Sequence, residues 1–273
     1  MSQTRSEIAD LLARHGIVPR RRLGQHFLAD PNIIQKIVVL AGEPEGARAL
    51  EIGVGTGTLT RALIEAGFPV TGYEVDRRFA PLLREALWNV EVDIRFEDAT
   101  GLDYSEFSGE HRWVLVANLP YGVGTPILLD LLRRAAGLRR FVVMVQREVA
   151  ERLTAGPGSR TYGFPSVVIG LYGTARLAFR VSPHVFVPPP NVDSAVVVIE
   201  RTAAPSELRD LAVRVAAAGF GQRRKMLRSS LRSVIPDGLA DRLMKAGISP
   251  RLRAESVSPE GFLDIARVLG RAA

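Results

Sequence analysis

Apolar residues along the chain follow two rhythms. Short β-branched runs closed by Gly, Pro or acidic residues read as strands, and stretches with apolar positions three and four apart read as helices. The strand pattern covers residues 47–52, 68–73, 92–96, 113–118 and 141–146, and the helix pattern covers 6–16, 32–40, 61–64, 81–87, 127–132 and 147–153. Ser6 is the expected cap of the first helix, with Gly16 closing it. Strands alternating with helices predict an α/β fold built on a mostly parallel sheet. Residues 167–172, 175–181 and 195–200 are expected to add strands at one end. From Ser206 the rhythm turns helical, with Phe220, Leu227, Leu231 and Val234 as an apolar stripe. Arg224, Arg228 and Arg232 recur on another face, widened by Arg223 and Lys225.

The expected carboxyl ends of the strands carry the chemistry, and in open α/β sheets ligands bind at that edge. The first strand runs into Gly53-Val54-Gly55-Thr56-Gly57 before a helix, the context in which glycines let backbone approach a ligand. This spacing is nearer the S-adenosylmethionine type than the dinucleotide fingerprint, with NAD, flavin and nucleosides as the other options. Glu74 and Asp76 end the next strand, placed for ribose hydroxyls. Asp98 ends the third, either as an adenine acceptor or as a turn cap. The fourth delivers Asn118-Leu119-Pro120-Tyr121. An amide, a free carbonyl, a fixed φ and a flat ring suit a nucleobase and its amino group; a strand-to-loop turn is the plainer reading. Residues 156–165 are expected as a flexible loop at the ligand edge. Phe186, in the extended Phe186–Asp193 stretch, either walls a base pocket or sits in the core.

Composition narrows the classes. The 273 residues are 47% hydrophobic and 24% charged, an ordinary globular balance. Zero Cys excludes disulfides, thiolate catalysis and Cys-ligated zinc. His15, His26, His111 and His184 show no ligand spacing, so no metal site is expected. No apolar run approaches a membrane span and residues 1–10 are polar, so a soluble, cytoplasmic protein without membrane partners is expected. Net charge is +7, all of it from residue 201 onward, where 14 Lys and Arg face 7 Asp and Glu; the first 200 residues hold 22 of each. Such segregation marks a nucleic-acid footprint more often than a solvated surface. The expected organisation is an N-terminal helical appendage (1–19), a sheet domain (20–200) and a basic helical domain (201–273).

Six stretches carry a resemblance to the ribosomal RNA adenine dimethyltransferase family of the KsgA type. They are residues 23–28 (LGQHFL), 51–57 (EIGVGTG), 118–121 (NLPY), 145–150 (VQREVA), 187–195 (VPPPNVDSA) and 220–231 (FGQRRKMLRSSL). The resemblance implies a Rossmann-like S-adenosylmethionine-dependent methyltransferase sheet with a small all-helical C-terminal domain. It also implies dimethylation of two adjacent adenines near the 3′ end of 16S rRNA in a 30S precursor, by an expected monomer. Cofactor contacts fall on His26, Leu28, Gly53, Glu74, Asp98 and Asn118, with Gly55 and Gly57 in the same turn. Asn118, Leu119, Pro120 and Tyr121 are the expected catalytic set, Tyr121 and Phe186 the target-base pocket. Arg20, Arg21, Arg22, Arg147, Arg223, Arg224, Lys225, Arg228 and Arg232 are the expected RNA contacts. The family usually has Asn where His26 stands, Pro where Val54 stands and Asn-Ile-Ser where Gly122-Val123-Gly124 stands. Two alternatives stay open: a 23S rRNA adenine methyltransferase conferring macrolide resistance, and a non-catalytic rRNA-binding assembly factor.

Overall fold

The computed structural model of the chain describes residues 3–20, 23–109, 111–235 and 237–270. Two compact units emerge. The first comprises Met1–Leu131, Ala135–Ala150 and Arg176–Glu200; the second comprises Leu132–Arg134, Glu151–Ala175 and Arg201–Ala273. Residues 132–134 and 151–175 thus join the C-terminal helices, where the sequence pattern had placed them with the sheet.

In the first unit, helix α1 (Arg5–Arg14) is followed by strand β1 (Phe27–Leu28) and α2 (Pro31–Ala41). Then come β2 (Ala47–Ile52), α3 (Thr58–Glu65), β3 (Val70–Tyr73), α4 (Ala80–Ala86) and β4 (Asp93–Arg95). The chain continues through β5 (Arg112–Asn118), α5 (Gly124–Arg134), β6 (Leu138–Gln146) and α6 (Arg147–Leu153). After α7 (Phe164–Tyr172), which belongs to the second unit, follow β7 (Gly173–Val181), β8 (Phe186–Val187) and β9 (Ser194–Arg201). Seven strands form one sheet in the order β4-β3-β2-β5-β6-β9-β7. β2 pairs in parallel with β3 on one side and β5 on the other, β5 with β6, and β9 runs antiparallel to β6. Chain direction across the sheet reverses between β2 and β5. A crevice opens at the carboxyl ends on either side of such a switch. The strands are near-continuous apolar runs because both faces are covered: Val114, Val116, Val142, Met144, Val196 and Val198 are buried with Ile34, Ile37, Leu59 and Leu63 on one face, and the alternating Leu115, Ala117, Phe141, Val143, Val197 and Ile199 are buried on the other.

Helix α1 is no appendage. Thr4, rather than Ser6, caps it in a reciprocal box with Glu7. Its Ile8, Leu11 and Leu12 are buried with Phe27, Val54, Phe79, Leu82, Leu83 and Leu87 in one cluster. β1 and β8 form a separate antiparallel pair, Leu28 opposite Phe186, and the Val187–Pro188 peptide is cis.

The second unit departs from the pattern at three places. Residues 167–172 form part of helix α7, not a strand. The run is apolar all round, so periodicity cannot separate a buried helix from a buried strand. Pro165 in the first turn and the Ser166 hydroxyl accepting from Gly163 N–H start the helix. Residues 156–165 are not a free loop. Gly158 N–H donates to the Glu255 carbonyl at 2.9 Å, and the buried Tyr162 donates its hydroxyl hydrogen to the Val257 carbonyl at 2.9 Å. Finally, the C-terminal stretch forms α8 (Glu207–Gly221), α9 (Leu227–Ser230), α10 (Leu239–Lys245) and α11 (Pro259–Gly270). The expected continuous helix through residues 220–234 is broken. Leu227 and Arg228 donate their N–H groups to the Leu252 and Pro250 carbonyls rather than to the preceding turn. Leu227 and Leu231 are buried as expected, one turn apart in α9 and its cap, whereas Phe220 belongs to α8. No helix among the described residues is long and apolar enough to cross a membrane.

Candidate active site

A cavity of about 200 Å³ lies at the switch, lined by residues 23–27 and by the loops following β2, β3, β4 and β5. Gly53 and Gly55 line it, and Gly55 shows why glycine stands there. Its φ is +57°, and a Cβ would lie 2.9 Å from the Phe27 ring. Only a residue without a side chain holds this left-handed backbone with Phe27 in place. Gly57 is different: it does not line the cavity. It precedes α3, and a Cβ there would meet Leu83 and Leu87, so this structure shows it in helix packing.

Glu74, nearly buried, accepts from Gly55 N–H on Oε2 and from Asp76 N–H on Oε1, both at 2.9 Å. Burial raises its carboxyl above the usual range, against the opposing pull of those N–H donors. The carboxylate keeps acceptor capacity for a ligand hydroxyl. Asp98 takes the turn-cap reading and stands at the cavity. It lines the cavity, and its Oδ1 caps the following turn by accepting from Thr100 N–H (2.9 Å) and the Thr100 hydroxyl (2.8 Å). Those donors, the backbone one foremost, lower its carboxyl.

Asn118 ends β5 half-buried, and its Nδ2 donates to the His26 carbonyl at 2.8 Å. A carbonyl can only accept, so this bond assigns the amide and leaves Oδ1 with no partner among the described residues. The Leu119 carbonyl likewise has no partner there, whereas that of Pro120 accepts from Gly124 N–H. The Leu119 side chain is buried; Pro120 lines the cavity. The Tyr121 hydroxyl shares a hydrogen with Ser194 Oγ at 2.8 Å, and burial raises its pKa, keeping it a phenol. Its ring stacks on His26, centroids 5.5 Å apart and planes at 24°.

Two expected site residues bury their side chains in the core. Leu28 is buried in the core and does not line the cavity; Phe27, its neighbour, does. Phe186 lies in the same core, fully buried, so the core reading holds over the pocket wall. Side-chain alternation explains both, since Leu28 and Phe186 are register partners on one face of the β1–β8 pair.

Other residues were missed. Val75, 53% exposed, and Ala99, Val123 and Ile127 supply an apolar wall. Gln25 is nearly buried and bridges two segments, accepting from Arg20 N–H at 2.6 Å and donating to Asp76 Oδ2 at 3.0 Å. Asp76 therefore anchors the lining segment rather than facing ribose, and Arg78 and Gln25 hold its carboxyl far below the usual range. An exposed Val between two acids was the one local signal.

The expected RNA contacts divide. Arg21 and Arg22 lie outside the described residues; Arg20 is exposed. Arg147 pairs with Asp193 at 3.3 Å. In the second unit Arg224, Lys225, Arg228 and Arg232 are exposed. Arg223 is structural: it pairs with Glu255 at 3.0 Å and donates to the Arg160 and Tyr162 carbonyls.

Residues 18–270 match the family described as ribosomal RNA adenine dimethylase. The Ribosomal RNA small subunit methyltransferase A of Phenylobacterium zucineum (strain HLK1) is 42% identical over 267 residues, spanning 97% of this chain and 93% of that protein. The protein of the same name from Jannaschia sp. (strain CCS1) is 42% identical over 270 residues, 96% and 93% of the two chains. The crystal structure of 23S rRNA methyltransferase ErmE superposes with a TM-score of 0.66 at 25% identity, covering 89% of this chain and 99% of that one. A dimethyladenosine transferase from Plasmodium falciparum shares the fold, with a TM-score of 0.69 at 22% identity over 88% and 96%. Family and fold imply S-adenosylmethionine. The glycine approach at Gly55, the acidic Glu74 and the apolar Val75 wall fit such a nucleoside. This chain belongs to the ribosomal RNA adenine dimethylase family.

Proposed function

We propose that this protein dimethylates two adjacent adenines near the 3′ end of small-subunit rRNA, acting as a monomer on a cytoplasmic 30S precursor. The observation carrying this reading is Asn118: it lines the cavity, its Nδ2 is committed to the carbonyl of His26, the residue whose ring stacks on Tyr121, and its Oδ1 has no partner among the described residues. An adenine amino nitrogen is a poor nucleophile because its lone pair is delocalised into the ring. Asn118 Oδ1 and the Leu119 carbonyl accept its two hydrogens and return electron density to the nitrogen. Tyr121 stacks on the base, an interaction worth about 1–3 kcal/mol. Gly53, Gly55, Glu74 and Asp98 hold the nucleoside of S-adenosylmethionine, and the Val75 side wall excludes water. When bound, S-adenosylmethionine supplies an activated sulfonium methyl group. The residues then need only align attack in line, and the acidified nitrogen releases its proton to solvent once the site opens. The exposed cations at 224, 225, 228 and 232 supply phosphate contacts.

The printed names of the full-length relatives favour the small subunit as substrate. The test is transfer of labelled methyl to undermethylated 30S subunits and, in parallel, to 23S rRNA, with the product mapped. Dimethyladenine near the 3′ end of the small-subunit RNA is expected. Label confined to 23S rRNA, or cofactor binding without transfer to either RNA, refutes the proposal. Asn118→Ala, at a half-buried strand end, is expected to lose at least a hundredfold in kcat with the fold intact.

A further inference from the structure

We infer that His26 and Ser194 are positioning residues which clamp the Tyr121 ring so that only one of its faces is offered to the target base. This rests on the adenine-methylating reading above. Tyr121 is restrained at two points. Its hydroxyl is hydrogen-bonded to Ser194 Oγ at 2.8 Å, and Ser194 is fully buried at the start of β9. One ring face is covered by the His26 imidazole. That imidazole is itself held, since its Nδ1 lies 2.8 Å from the Pro188 carbonyl, which can only accept; Nδ1 therefore carries the hydrogen. The same residue sets the other half of the slot, because its main-chain carbonyl takes the Asn118 Nδ2 hydrogen.

His26 thus fixes, through two different atoms, both the hydrogen-bond acceptor and the stacking platform that one base must meet together. A ring already frozen loses less freedom when the base arrives, so the clamp acts on base capture. The backbone half of His26 survives any side-chain change. Replacing its ring separates the clamp from the orientation of Asn118.

The experiment uses the full chain with undermethylated 30S subunits and compares wild type with His26→Asn, His26→Phe, Ser194→Ala, Tyr121→Phe and the Ser194→Ala/Tyr121→Phe pair. Aromatic stacking of this size predicts KM for the RNA raised about threefold to tenfold in His26→Asn, with a smaller change in kcat. His26→Phe restores the stacked face and returns KM toward wild type. Ser194→Ala and Tyr121→Phe remove the same hydrogen bond, so the pair is no worse than either alone. The calorimetric Kd for S-adenosylmethionine stays within twofold in Ser194→Ala and Tyr121→Phe, because neither residue lines the cavity.

An unchanged RNA KM in both His26→Asn and Ser194→Ala, beside an active wild type, overturns the clamp alone. So does a loss confined to cofactor affinity, or full additivity in the pair. A wild type that methylates neither 30S subunits nor 23S rRNA overturns the functional reading and the clamp with it.

Discussion

Glu51 precedes the glycine turn by two residues, is 2% exposed and accepts the Thr60 hydroxyl hydrogen on Oε2 at 2.6 Å. Burial pushes its carboxyl from the usual 4.5 up to about 8, helped by the nearby Glu74 and opposed by Thr60. Between those two values the folded protein holds a proton that the unfolded chain has released, so stability falls as pH rises through the window. The slope approaches about 1.4 kcal/mol per pH unit, on the order of 5 kcal/mol across the whole window. Glu51→Gln stays neutral at every pH and keeps an acceptor for Thr60. It is expected to lose this contribution to the pH dependence, whatever its offset at any one pH. Urea unfolding from pH 5 to 9, followed by the emission of buried Trp113, reads the relevant sheet, since Trp113 lies opposite Arg48 in the β2–β5 pairing. Glu74 contributes with the same sign in both proteins, so the difference between their curves reports Glu51 together with its coupling to Glu74. Parallel curves for wild type and variant would refute the reasoning.

Gly55→Ala places a Cβ against Phe27 at a φ of +57°. The left-handed backbone alone costs about 1–2 kcal/mol, and S-adenosylmethionine affinity is expected to drop about tenfold or more; wild-type affinity by calorimetry contradicts this. Asp76→Asn removes the charged acceptor of Gln25 and Arg78 and is expected to destabilise by about 1–3 kcal/mol at neutral pH. Because the folded pKa is depressed, that contribution is present above the usual 3.8 and lost as pH falls through the folded value, so the variant's deficit shrinks in acid; a constant deficit between pH 7 and pH 3 speaks against it. Arg224→Ala or Lys225→Ala lowers the slope of log affinity for RNA against log salt by about 0.7–0.9, with stability unchanged. Arg223→Ala, by contrast, lowers thermal stability, because Arg223 braces Glu255 and two carbonyls.

Local sequence determined what local rules govern. Alternating strands and helices, the glycine turn after Ile52, the acids after Tyr73 and the Asn118-Leu119-Pro120-Tyr121 end of β5 were readable because periodicity and turn chemistry act over a few residues. Tertiary structure decided the rest. The apolar run at 167–172 became a helix once buried all round. Residues 220–234 broke where the 250–252 segment took their N–H groups. Phe186 and Leu28 faced the core once β1 met β8. The orientation of Asn118 depends on His26, 92 positions earlier, and the seating of Gln25 on Asp76, 51 positions later. A hydrogen bond between groups so far apart leaves no periodic trace in the chain, since its geometry exists only after the sheet, the turns and the packed helices have brought both partners to one edge.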